Sequence, residues 1–149
     1  MKFTWRLQRL LDLKAREEDV KRDELVALTE RAAAIRSRIL IERAGFRRML
    51  SELRNTPDGD RLTEQETVLN YAHVFDAKIV RLEANLSELE TLQRAKIAEV
   101  LEIRKFRKGL EKLREKALAE FVRYEQKQEQ KETDEYAALS FARDMIKQS

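Results

Sequence analysis

The chain has no cysteine, one proline, three glycines and a single histidine. The first absence excludes disulfides and thiolate metal sites. The scarcity of proline and glycine leaves little to interrupt a helix. His73, between Ala72 and Val74 on a helical stretch, reads as a surface or seam residue rather than a ligand. Long apolar runs are also missing. No segment approaches the ~18 apolar residues of a membrane span, and the first residues lack the apolar core of a signal peptide. The expectation is a soluble cytoplasmic protein with no direct membrane insertion. No glycine-rich loop, nucleophile–base pair or ligand cluster stands out, so no enzyme and no cofactor are expected.

What is present is charge and period. Charged residues make up 40% of the chain and aromatic residues 7%, a composition of long helices rather than of a thick core. From Thr63 to about Gln130, apolar residues recur at alternating steps of three and four. They are Ala72, Phe75, Ile79, Leu82, Leu86 and Leu89, then Val100 and Ile103 after polar layers at Gln93 and Lys96. That is the stripe of a helix buried against another helix. Its ~68 residues would extend ~100 Å, more than one globular core covers. The first half carries the same stripe at Leu25, Leu28, Ala32, Ile35, Ile39, Phe46, Met49 and Leu53, broken by Glu42. Between Lys14 and Glu24 the stripe nearly vanishes. There Asp12–Arg16, Glu17–Lys21 and Glu18–Arg22, each four apart, would support the helix.

Pro57-Asp58-Gly59 is the one strong break, and Thr63 with Glu66 has capping-box spacing. The expected fold is all-α, a long antiparallel two-helix coiled-coil hairpin in a single domain, 1–149. Helix 1 is expected over 3–54, the turn over 55–62, and a longer, overhanging helix 2 over 63–146, fraying after about 125. Folding at residue 58 would set Ile39 near Ile79 and Leu28 near Leu89. It would set Glu24 and Lys21 opposite Gln93 and Lys96, a loosely packed wet segment. Leu10 and Leu7 would meet Phe106 and Leu110, and Phe3 would meet Leu113. The steps Val100–Ile103–Phe106 would depart from the heptad. Residues beyond Ala117 would have no partner within the chain.

Residues 1–16 hold five basic and one acidic group, and residues 101–118 hold seven and three. Phosphates could use such a cluster. No stacking platform or readout motif accompanies it, so no nucleic-acid partner is expected. An acidic protein surface, such as a negatively lined ring or cleft, fits the same charge. Leu40, Ile41, Leu50, Tyr71 and Val74 lie off the stripe near the turn, as seam flank or as a partner patch.

The opening residues 2–14, Lys-Phe-Thr-Trp-Arg-Leu-Gln-Arg-Leu-Leu-Asp-Leu-Lys, followed by Glu17-Glu18, resemble the start of the FliJ family of flagellar export proteins. Residues 110–116, then Phe121, Tyr124 and the charged stretch 129–135, are similar to that family's C-terminal signature, and Asn70-Tyr71 to its start of helix 2. The resemblance implies a non-enzymatic part of the flagellar type III export machine, with the stalk of a virulence secretion system or a generic coiled-coil scaffold as alternatives. Its partners would be the export ATPase hexamer, the membrane export gate protein and export chaperones. It would be cytoplasmic, peripheral at the inner face of the cell membrane. It implies an ATPase-ring site of Phe3, Trp5, Arg6, Leu7, Arg9, Arg107, Leu110, Leu113, Arg114 and Phe121. A gate site would comprise Phe46, Leu50, Tyr71, Val74 and Phe75.

Overall fold

The structure is a computed structural model that describes residues 1–148. Two helices, α1 (Gln8–Arg54) and α2 (Arg61–Gln148), account for nearly all of them, and no strand occurs among the described residues. The chain is an all-α helical hairpin. It divides into two compact units: Glu18–Glu102, which contains the turn, and Met1–Glu17 together with α2 from Ile103 onward.

In the Glu18–Glu102 unit the seam follows a strict heptad on both helices. Half-buried and buried positions that keep the three-four alternation are 18, 21, 25, 28, 32, 35, 39, 42, 46, 49 and 53 on α1 and 68, 72, 75, 79, 82, 86, 89, 93, 96 and 100 on α2, with Leu50, Tyr71, Lys78 and Glu90 half-buried beside them. Ile39, Phe75 and Ile79 form the core cluster, with Ile35, Phe46, Tyr71, Leu82 and Leu86 packed against it. Glu42, the polar break, is held by Lys78 at 2.8 Å. Arg36–Glu90 and Arg43–Glu83 close one flank at 3.1 and 2.7 Å.

Ile39 and Ile79 share one cluster, as folding at residue 58 predicts, but at the polar layer the partners are displaced by about one turn. Glu24 meets Lys96 rather than Gln93, and Gln93 reaches Thr29 at 3.0 Å. The turn explains the shift, because it is asymmetric. Residues 61–67 of α2 are all exposed, so its seam begins only at Val68. The hydroxyl of Thr56 lies 2.8 Å from the Glu52 carbonyl and 2.7 Å from the Glu64 carboxylate, so the end of α1 is level with the second turn of α2. The capping box does not form. Asp60, a stronger N-cap residue than threonine, precedes the helix, and its carbonyl accepts the Glu64 N–H at 3.2 Å. Thr63 lies inside α2, where its carbonyl accepts the Thr67 hydroxyl.

The expected wet gap is an ion-paired layer. Lys96 sits between Glu24 at 2.6 Å and Glu99 at 3.2 Å, and Lys21 approaches Glu99 at 3.4 Å and Glu24 at 3.7 Å. A shallow groove of 400 Å³ runs beside it, lined in part by Leu28, Leu92 and Ala95. The hydrogen bond from Lys96 lowers the Glu24 and Glu99 pKa values, and the bonds to Glu24 and then Glu99 raise that of Lys96. Depressed carboxylate pKa values contribute stability that is complete above the ordinary carboxylate range and is lost as pH falls through the folded-state values. The raised lysine contributes below the ordinary lysine range, and that part is lost as pH rises through its folded value. The layer therefore acts fully across the neutral plateau. In urea titrations at pH 7 and pH 3, Lys96→Met should lose less stability on acidification than the wild type. An equal acid loss in both would show that the layer contributes nothing.

In the other unit α1 begins at Gln8, not at residue 3. The bulky Phe3-Thr4-Trp5 segment is not helical, and the Trp5 carbonyl accepts the Gln8 N–H at 3.1 Å. A non-helical chain covers more length per residue than a helix. Phe3 consequently reaches Phe121, with ring centroids 5.4 Å apart, instead of Leu113. The α-amino group of Met1 lies 3.2 Å from Glu125. Intrachain partners thus continue past Ala117, to Glu125, and α2 is helical to Gln148.

Here too the heptad is unbroken. Among the half-buried and buried α2 positions, 103, 107, 110, 114, 117 and 121 keep the three-four alternation, and Arg104, Glu111 and Glu125 are half-buried beside it. The seam takes Arg107, whose guanidinium turns out to Glu111, and leaves Phe106 50% exposed with Lys14 5.2 Å from its ring centroid. An arginine stem can fill a seam position while its head leaves it, so the repeat need not bend to admit the aromatic ring.

Candidate interaction surfaces

No helix among the described residues is long and apolar enough to cross a membrane, and no group of them could hold a metal ion. What the fold offers instead is surface, and each unit presents its own.

In the Glu18–Glu102 unit the five gate candidates lie together near the turn. Phe46 and Phe75 stack with centroids 4.5 Å apart and planes 9° from parallel. Tyr71 lies beside both, at 6.2 Å from Phe46 and 6.5 Å from Phe75. Phe75 is 9% exposed and belongs to the core, while Phe46, Leu50 and Tyr71 are half-buried. Val74 alone is fully offered to solvent, at 62%. Leu40 and Ile41 are also exposed, as are Leu62, Leu69 and Val80. His73 is exposed.

In the other unit the ring candidates divide into two sets. Leu110 is 6% exposed, and Phe3, Trp5, Leu7, Arg107, Arg114 and Phe121 are half-buried. These residues hold the unit together. Arg114 donates to the Gln8 side-chain oxygen at 2.8 Å and stands 5.5 Å from the Phe3 ring centroid. Phe3 is thereby gripped between a cation and Phe121, an arrangement that orders a non-helical segment against α2. Only Arg6, Arg9 and Leu113 of the ten face outward as exposed groups.

The basic cluster that the sequence places in residues 101–118 resolves in this unit into one outward face of α2, which continues to Arg123 and Lys127. Lys105, Lys108, Lys112, Lys116, Arg123 and Lys127 recur at steps that keep them on one side of a helix, and all six are exposed. Position 112 falls midway between seam residues 110 and 114, so this side points away from the seam. None of the six makes an ion pair or hydrogen bond among the described residues. The signal was available as a charge repeat, but net charge alone does not reveal that it lines one face.

Neither a curated protein nor a solved structure matches the chain. The family described as the flagellar FliJ protein matches it over residues 1–145. With a two-helix hairpin, an aromatic-clamped N-terminal segment and nearly the whole length aligned, the chain belongs to the FliJ family of flagellar export proteins.

Proposed function

We propose that this protein is a non-enzymatic stalk of the flagellar type III export apparatus. It occupies the central hole of the export ATPase hexamer, promotes the ring's assembly and activity, and links it to the membrane gate protein and to export chaperones. It works in the cytoplasm, peripheral to the inner face of the cell membrane.

The observation that carries this reading is the construction of the unit formed by residues 1–17 and α2 from 103. Phe3, Leu110, Arg114 and Phe121 hold two chain segments together, and up to residue 127 the exposed charged groups are mostly basic. A slender, self-contained helical pair with a cationic exterior suits insertion into an opening lined with acidic groups. The turn-proximal patch of the other unit, with Phe46, Leu50, Tyr71 and exposed Val74, supplies the gate contact.

The test is titration of the full chain into the export ATPase at low salt. Hydrolysis should rise and saturate, while the protein alone hydrolyses no ATP. Unchanged turnover would contradict the stalk reading. For the gate contact Val74→Arg is the informative variant, because Phe75 is structural. It should weaken gate binding about tenfold with helicity unchanged. Wild-type affinity would remove Val74 from the contact.

A further inference from the structure

We infer that the end of α2 beyond Glu125 docks onto a second copy of this chain, as a third helix on the open flank that α1 and α2 form between residues 27–38 and 81–95. The inference does not depend on the stalk reading.

The end of α2 has a defined face and no cover. Residues 126–148 are helical, and all but Ser140 are exposed. Leu139, Phe141, Met145 and Ile146 are the large apolar groups at its far end. At seven-residue steps Glu132 precedes Leu139 and Ile146, Asp134 precedes Phe141, and Glu135 precedes Ala142. Residues so spaced share a row when a helix winds against others. One side of the tail is therefore acidic first and apolar after. Glu132, Asp134 and Glu135 make no ion pair or hydrogen bond among the described residues.

The two flanks of the seam in the Glu18–Glu102 unit are unlike. One is bridged by Gln93–Thr29, Arg36–Glu90 and Arg43–Glu83. On the other, no bond crosses between Lys96–Glu24 and Lys78–Glu42. This open flank starts at the groove floored by Ala27, Leu28, Leu92 and Ala95. Seven-residue steps carry it on from Ala27 to Ala34, from Arg31 to Arg38, and from Ala95 through Glu88 to Arg81. Arg31, Arg38 and Arg81 are exposed and unpaired, and Glu88 is the one unpaired acid among them. The flank is thus apolar at the groove and basic beyond it.

Tail and flank match in order and in scale. Leu28 to Arg38 on the flank and Glu132 to Ala142 on the tail are each ten residues, ~15 Å of helix. With apolar set against apolar, Glu132 and Glu135 fall beside Arg38 and Arg81. Small Ala27, Ala34 and Ala95 leave depth for Phe141 and Met145. α2 has no break between Arg61 and Gln148 by which its tail could turn back, so the occupant comes from another copy. A contact of ~32 Å by ~10 Å covers ~300 Å² of each surface, below the ~800 Å² per partner of a stable complex. The association is therefore weak and depends on its charge pairs.

Sedimentation velocity of the full-length protein measures it, from about 5 to about 500 µM, the range of a weak contact. The mass should rise with concentration above the 17.7 kDa of the monomer. About 300 mM salt should weaken that rise relative to about 50 mM. Two charge-reversed proteins identify the surfaces: Glu132→Lys/Asp134→Lys/Glu135→Lys, and Arg31→Glu/Arg38→Glu/Arg81→Glu. Each alone should associate at least about tenfold more weakly, and an equimolar mixture of the two should regain the association. Circular dichroism checks helicity, and should a reversed protein lose it, the weaker association of its Gln counterpart decides. A wild type that stays monomeric throughout overturns the inference. So does wild-type association by either folded variant, or a mixture that regains nothing. Association lost in Phe141→Asp but kept in the arginine variant would set tail against tail, and would equally overturn it.

Discussion

Phe75→Ala should lower the unfolding free energy by about 3–5 kcal/mol, the range for removing a large aromatic side chain from a packed core. Phe75 is buried, lies flat on Phe46 and shares its cluster with Ile39 and Ile79. A two-helix seam has no second layer to collapse into the space, so the cavity opens onto the flank and the stacked ring of Phe46 loses its partner. A neighbouring control, Val74→Ala, removes an exposed side chain and should change stability by no more than about 0.5 kcal/mol. Urea denaturation followed by circular dichroism measures both. A Phe75→Ala loss below about 1 kcal/mol would mean that the aromatic stack does not hold this unit.

Phe3→Ala should act on the other unit and act locally. The ring is half-buried, faces Phe121 at 5.4 Å and carries Arg114 at 5.5 Å. An aromatic pair contributes about 0.5–1.5 kcal/mol beyond its buried area, and a cation over a ring about 0.5–1 kcal/mol more. With partial burial added, the loss is about 2 kcal/mol. Nothing helical in residues 1–7 resists the release of the segment. Amide exchange over residues 114–125 should therefore quicken by roughly thirtyfold, the factor that about 2 kcal/mol of opening free energy implies. Residues 68–89 should keep their protection. Equal acceleration in both regions would contradict a local role for the Phe3 clamp.

Much of this fold was legible as periodicity. Seam positions from Ala32 to Leu53 and from Phe75 to Ile103 follow directly from the apolar stripe, because a helix pair rewards one narrow face and little else. Register was not legible in the same way. It depends on how the chain climbs from Thr56 to Glu64, and a proline–glycine turn fixes that a turn exists without fixing its asymmetry. Between Lys14 and Glu24 the stripe is nearly empty of apolar residues. The heptad persists there through Lys14, Glu18 and Lys21, and Glu18 is 2% exposed with Arg22 bound to it. Phe106 misled for the converse reason: hydrophobicity alone placed it in the seam that Arg107 occupies. Phe3, Leu110 and Phe121, contact candidates by resemblance, also pack within the unit, and the basic excess of residues 101–118 was legible as a count but not as a face, because that depends on which side the seam occupies.

The pairing of α1 with α2 in the turn-containing unit is tested most directly by distance. The chain has no cysteine, so single cysteines at Arg43, Glu83 and Val74 can be spin-labelled without background. All three side chains are exposed, and Arg43 and Glu83 form an ion pair at 2.7 Å. Labels at 43 and 83 should give a short, narrow distance, clearly shorter than labels at 43 and 74. A broad, long distance for 43–83 would contradict the hairpin, and a shorter one for 43–74 would contradict its register.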